Sequence, residues 1–205
     1  MAVDLEALVD PAHTAVVTQE CQNGVIGPDA ALPQLAEIAR RHMVPATGRL
    51  VRAARAAGVP VVHCVAARRE DARGSNTNAR LFLGMRKLPV ALLPGSSAVE
   101  VVPEIGTEAS DVVLTRLHGL GPMGGTDLDA VLRNLGVTTV VGVGVSVNVG
   151  MTNFAMDAVN AGYQFVLPRD AVAGIPEDYA EAVIEHTLSL IATVTTVDAV
   201  TASWA

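Results

Sequence analysis

The feature that most constrains this chain is a series of short, Val-rich runs, each closed by Gly, Pro or a polar cluster. They are "HTAVVTQE" (13–20), "VPVVHCVA" (59–66), "DVVLTR" (111–116), "VTTVVGVGV" (137–145), a run opening "YQFVLP" at Tyr163, and "TVTTVDAV" (193–200). These runs are apolar throughout and too short to be helices, the pattern of strands buried on both faces. Between them lie segments with helical period. In Pro45 to Ala57, Leu50, Val51 and Ala54 share a face and Gly58 is the stop; "TDLDAVLRNLG" carries Thr126 as its cap and Gly136 as its stop. From Val149 to Ala161, Phe154, Ala155, Ala158 and Val159 form one side, and Ala180, Val183, Ile184, Thr187, Leu188 and Ile191 mark a last amphipathic helix.

Parallel neighbours need long crossovers, and helices supply them. The expected architecture is therefore a single α/β domain spanning 1–205. It is three-layered and doubly wound, with a six-stranded, mostly parallel, Rossmann-like sheet. Half of the residues are hydrophobic but only 3% are aromatic, so Ala, Val, Leu and Ile must build the core. A formal charge of -7 offers no footprint for nucleic acid. No apolar run reaches the ~18 residues of a membrane span, and "MAVDLEALVDPAHT" lacks a signal peptide's basic start, so a cytoplasmic protein is expected. Cys21 and Cys64 make neither a disulfide framework nor a zinc spacing.

In doubly wound sheets ligands sit beyond the carboxyl ends of the strands. The residues there are Glu20, Cys21, Gln22 and Asn23; His63 and Cys64; Arg116 and His118; Ser146 to Gly150; and Arg169 with Asp170. The polar, aperiodic stretch Ala67 to Arg80 reads as a loop or lid. Gly142 and Gly144 lie inside a strand without a third glycine, which argues against dinucleotide binding. No Asp-x-His-x-x-x-His grouping follows the second strand, so neither metal nor cofactor is expected.

Three stretches carry a family resemblance. "AVVTQECQNGVIG", "VVLTRLHGLGPMGGTDLDAVLRNLGV" and "VVGVGVSVNVGMTNFAMDAVNAGYQFVLPRDAVAG" resemble, in order and spacing, the isochorismatase-like hydrolases, a superfamily that includes nicotinamidases and N-carbamoyl amidases. The resemblance covers nearly the whole chain. It implies that fold, a hydrolytic activity on a small molecule, a homo-oligomer (dimer or tetramer) and a cis peptide near Val145 and Ser146. Its amidases use an Asp, Lys and Cys triad, whose positions correspond here to Glu20, Arg116 and Gly150. All three differ.

Glycine has no side chain with which to attack, so thiol chemistry at residue 150 is excluded. The resemblance offers an alternative, because true isochorismatases also carry Gly at this elbow and hydrolyse a vinyl ether through an acid. Glu20 is accordingly expected to act as general acid or base, provided that burial raises its pKa, and Arg116 as a clamp for a substrate anion. Gln22, Asn23, His118, Ser146 and Asn148 are expected at the substrate. Two other readings stay open. Glu20 and Arg116 could form a structural ion pair in an inactive, ligand-binding relative, or an amidase could use a relocated nucleophile, Ser146 or Cys64.

Overall fold

The Val-rich runs form one parallel sheet in a computed structural model that describes residues 3–205. Its strands are β1 (Thr14–Gln19), β2 (Val61–Ala66), β3 (Val112–Arg116), β4 (Thr139–Val145), β5 (Gln164–Pro168), β6 (Val172–Ala173) and β7 (Thr193–Thr195). The order is β3-β2-β1-β4-β5-β7, with β6 beside β4, and every pairing is parallel. The chain winds outward from β1 to β3, then crosses to β4 and winds the other way. The order thus reverses between β1 and β4, which is where a doubly wound sheet opens its crevice.

Two details depart from the expected layout. The sheet has seven strands rather than six, because the two-residue β6 forms in the exit loop of β5. The last run is strand only at Thr193–Thr195; Thr196 then accepts a hydrogen bond from Ala199 N at 3.3 Å and starts helix Val197–Ala202. A local cap there overrides the β propensity of Thr and Val.

The helix expected at Pro45 to Ala57 is longer. It runs from Pro33–Ile38 through a π-helical turn, Ala39–Met43, into Val44–Ala56; this whole rod is α1. A proline inside a helix meets the carbonyl four residues back, and a wide turn just before Pro45 relieves that clash. The other α-helices of six residues or more are α2 (Arg80–Met85), α3 (Leu128–Asn134), α4 (Thr152–Asn160), α5 (Glu177–His186) and α6 (Val197–Ala202). Thr126 Oγ1 accepts from Leu128 N at 3.1 Å at the head of α3, as its sequence suggested. Among the described residues no helix is long and apolar enough to cross a membrane.

Alternate residues of the strands feed two cores. Val16, Val61, Val141 and Val143 pack under α1 and α6 with Leu50, Val51 and Val200. Ala15, Val17, Val62 and Val140 pack under α3, α4 and α5 with Leu132, Phe154 and Ile184. The two strand glycines have packing reasons. A Cβ on Gly142 would overlap the Phe165 ring, 2.9 Å from Cε1, and that ring stands edge-on to Phe154 at 5.0 Å and 87°. Gly144 has φ +119°, and a Cβ there would come within 3.0 Å of the Gln19 backbone.

One buried polar network crosses the first core. His63 is fully buried, with Nδ1 2.9 Å from Thr18 Oγ1 and Nε2 3.3 Å from Asp111 Oδ2. Arg55 donates to both Asp111 oxygens, at 3.2 and 2.6 Å, and to Gly106 O at 3.1 Å. His63 is therefore a core histidine.

Candidate active site

The site begins where β1 stops. Glu20 follows Gln19 with φ +54°, a conformation that L-residues rarely take, while its N–H still donates to Cys64 O at 2.8 Å. The backbone therefore turns under a fixed amide. At the end of β3, Arg116 donates through Nη2 to Glu20 Oε1 and through Nη1 to the carbonyls of His118 and Gly119. The two side chains are only 17% (Glu20) and 10% (Arg116) exposed. Burial raises the pKa of Glu20 above the ordinary carboxylate value, and the charge and hydrogen bond of Arg116 pull against that rise.

The third wall is the elbow after β4. The Val145–Ser146 peptide is cis, and Val147–Met151 forms a π-helical turn into α4, with Met151 N donating to Ser146 O at 3.0 Å. Gly150 sits in this turn. Its missing side chain leaves room for a neighbour, since a Cβ there would overlap the carboxamide of Gln19, 3.4 Å from Cδ, and approach Val145 O at 3.3 Å.

A cavity of about 370 Å³ opens on these three strand ends. Glu20, Arg116, His118, Ser146, Asn148 and Gly150 line it. Much of the remaining wall is apolar, with Leu35, Phe82, Leu92, Leu120 and Val149 among its residues. Asn148 Oδ1 is buried without a hydrogen-bonding partner among the described residues. His118 is exposed and lies against Gly125, whose Cβ would be 2.5 Å from Cε1. The stretch Ala67 to Arg80 does form part of the cover. Arg68, Ser75 and Asn76 line the cavity, and Asn76 Oδ1 accepts from Gly119 N at 2.8 Å.

Gln22 and Asn23 do not line the cavity, contrary to expectation. Gln22 is fully buried and works as a backbone bridge: its Oε1 accepts from Ala66 N at 2.6 Å, and its Nε2 donates to Ala66 O at 2.8 Å and Ala98 O at 3.2 Å. Asn23 Nδ2 donates to Ser97 O at 3.0 Å. Both hold the 97–100 segment against the end of β1. Arg169 pairs with Glu181 at 2.5 Å, and Asp170 accepts from Val197 N at 2.9 Å, so these also serve the fold.

Cys21 and Cys64 are free and buried, and burial pushes each thiol up to about 12. Neither lines the cavity. Among the described residues, no three His, Cys, Asp or Glu side chains gather as a metal ion requires. Sequence reasoning missed Gln19. The available signal was a lone carboxamide closing an apolar strand.

Comparison with known proteins agrees with the fold. The isochorismatase domain family matches residues 14–199. The isochorismatase family protein YecD of Escherichia coli O157:H7 is 28% identical over 193 residues, 90% of this chain and 93% of that protein. The ureidoacrylate amidohydrolase RutB of Methylobacterium radiotolerans is 29% identical over 178 residues, 80% of this chain and 68% of that protein. Among solved structures, a cysteine hydrolase from Pseudomonas syringae pv. phaseolicola 1448A superposes with a TM-score of 0.85 at 24% identity, covering 96% of this chain and 94% of its own.

Proposed function

The chain belongs to the isochorismatase family of hydrolases, and we propose that it hydrolyses a small, mainly apolar anion with water as the nucleophile. The observation that carries this reading is the buried Glu20–Arg116 pair opening on the cavity beside Gly150. With its pKa raised by burial, Glu20 holds a proton more readily than an ordinary carboxylate and serves as general acid. It gives that proton to the substrate, water attacks the activated carbon, and the Glu20 carboxylate takes a proton back from the water.

Arg116 aims Glu20 and shapes the wall through its two carbonyl contacts. While Glu20 is a carboxylate it balances much of the Arg116 charge. The substrate's anion is met by Arg116 together with Arg68 and Arg86, which line the cavity. His118, Ser146 and Asn148 contact the substrate, and the Ser146 to Gly150 backbone flanks the reacting carbon. The amidohydrolase name of one relative supports a hydrolytic reaction. A cysteine nucleophile has little support, because Cys64 is only 5% exposed and its thiol is pushed up to about 12. A homo-oligomer in the cytoplasm is part of the same reading, supported by exposed Leu81, Leu117 and Leu120 on the cavity wall and by two free thiols.

The test is Glu20→Gln, assayed against a panel of small carboxylates with hydrolysable bonds. Turnover is expected to fall by at least ~10²-fold while circular dichroism shows the variant still folded, since general acid–base catalysis contributes ~10²–10⁴-fold. In the wild type the rate should fall as pH rises through the raised pKa of Glu20. Unchanged turnover in the variant overturns the mechanism, and ligand binding without turnover by wild type favours an inactive, ligand-binding relative.

A further inference from the structure

Gln19 is a buried polar residue at the site to which the mechanism gives no task. It closes β1, is 1% exposed, and pairs in register with Cys64 on β2 and Gly144 on β4, which puts it at the reversal point of the sheet. Its hydrogen bonding does not explain its position. Nε2 reaches Leu120 O only at 3.5 Å, and Oε1 has no partner among the described residues. A buried carboxamide so poorly satisfied needs another reason to be there.

That reason is the space above Gly150. A Cβ on residue 150 would overlap Gln19 Nε2 and come within 3.4 Å of Cδ, so the carboxamide occupies the volume into which a side chain there would project. The carboxamide is the far end of a flexible side chain, but Gln19 is 1% exposed, so a side chain at residue 150 would have to displace it within a packed interior. It is a plug.

We propose that Gln19 sets the reaction type of this site: it fills the place of a side-chain nucleophile, bars residue 150 from carrying one, and leaves attack to water. The last clause rests on the hydrolase reading given above, whereas the steric part stands without it. In the step that remains, the water oxygen bonds to the substrate carbon and the bond from that carbon to its leaving group breaks. The leaving group departs with the proton that Glu20 gave, and Glu20 recovers one from the water. No bond to a side chain forms, and Gln19 acts as a positioning residue.

The test combines a melting cycle with a labelling experiment on the full chain. In a helical turn Ala is preferred to Gly, so G150A should raise the melting temperature in a Q19A background and lower it where Gln19 is present. Equal shifts in both backgrounds overturn the proposal. For labelling, wild type, G150C and Q19A/G150C are treated with iodoacetamide and with p-nitrophenyl acetate and followed by intact mass. A thiol near the ordinary value of 9.0 carries on the order of a thousand times more thiolate than one at about 12, so background from Cys21 and Cys64 is low. The double variant should take both adducts at the introduced thiol, at least about tenfold faster than G150C. Equal labelling of G150C and the double variant overturns the proposal, as does a folded double variant that takes neither adduct. Should the double cysteine variant not fold, the alanine cycle decides alone. Labelling as expected together with full turnover by Glu20→Gln would reject the hydrolase mechanism while leaving the plug in place.

Discussion

Replacing Arg116 by Met keeps most of the side chain's length and removes its charge, which strands the Glu20 carboxyl in a place that already raises its pKa. Both side chains are largely buried, so water cannot fully stand in for the lost partner. Glu20 can escape by taking up a proton. Starting from its ordinary value of 4.5, neutralising it at pH 7 costs at most about 3.4 kcal/mol, at about 1.36 kcal/mol per pH unit. Because burial has already raised the value, the cost lies below that bound. The lost hydrogen bonds to His118 and Gly119 add about 1–2 kcal/mol, since that loop can rehydrate. Removing one partner of a buried pair costs about 3–5 kcal/mol in general, which for 205 residues lowers the melting temperature by about 6–20 °C.

The pH dependence is the sharper part. Without Arg116 the folded carboxyl binds its proton more tightly than the unfolded chain does, so stability is lost as pH rises from about 4.5 toward the folded value. At pH 5 the same bound falls to about 0.7 kcal/mol, so the deficit of the variant should shrink as pH is lowered from 7 to 5. Urea titrations followed by circular dichroism at pH 5, 6 and 7 measure this for wild type, R116M, E20Q and the double variant. In the E20Q background the pH dependence of R116M should vanish. A deficit equal at pH 5 and 7, or below about 1 kcal/mol, refutes the reasoning.

Two further outcomes follow from the cores. Gly142→Ala should cost about 1–3 kcal/mol by driving a methyl into the Phe165 ring, which Phe154 braces edge-on; an unchanged melting temperature would show that the ring can yield. His63 is held below its ordinary value of 6.5 by burial, with Asp111 pulling the other way. The unfolded chain therefore binds the proton more tightly, and stability should fall as pH drops below about 6.5. His63→Gln should flatten that slope, and an unaltered slope would place the acid sensitivity elsewhere.

The strands were legible because buried parallel strands must be continuous apolar runs, and β1, β2, β4 and β5 are such runs; β3 reads the same way in sequence but lies at the edge with no fully buried residue. Strand ends were then enough to place Glu20, Arg116, His118 and Ser146 to Gly150 around one cleft. Other features depend on partners that a single sequence does not reveal. Gln22 follows β1 as a binding residue would, yet its carboxamide is consumed by the backbone of Ala66 and Ala98. The start of α1 at Pro33 was hidden by Pro45, which normally ends a helical reading and here follows a π-helical turn. Gln19 gained meaning only once Gly150 was placed beside it.

The sheet order makes β3 an edge strand, and Arg116 is its last residue. Neighbouring strands lie about 4.8 Å apart, so the contact from Arg116 to Glu20 reaches across roughly 10 Å, over the end of β2. The pair is therefore a latch between the rim of the sheet and its middle, with Asn76 fastening the cover to Gly119 just beyond. Fraying at the rim and disassembly of the site become one event, and the amide-exchange rate along 112–116 reports, without any substrate, how much of the time the site is assembled.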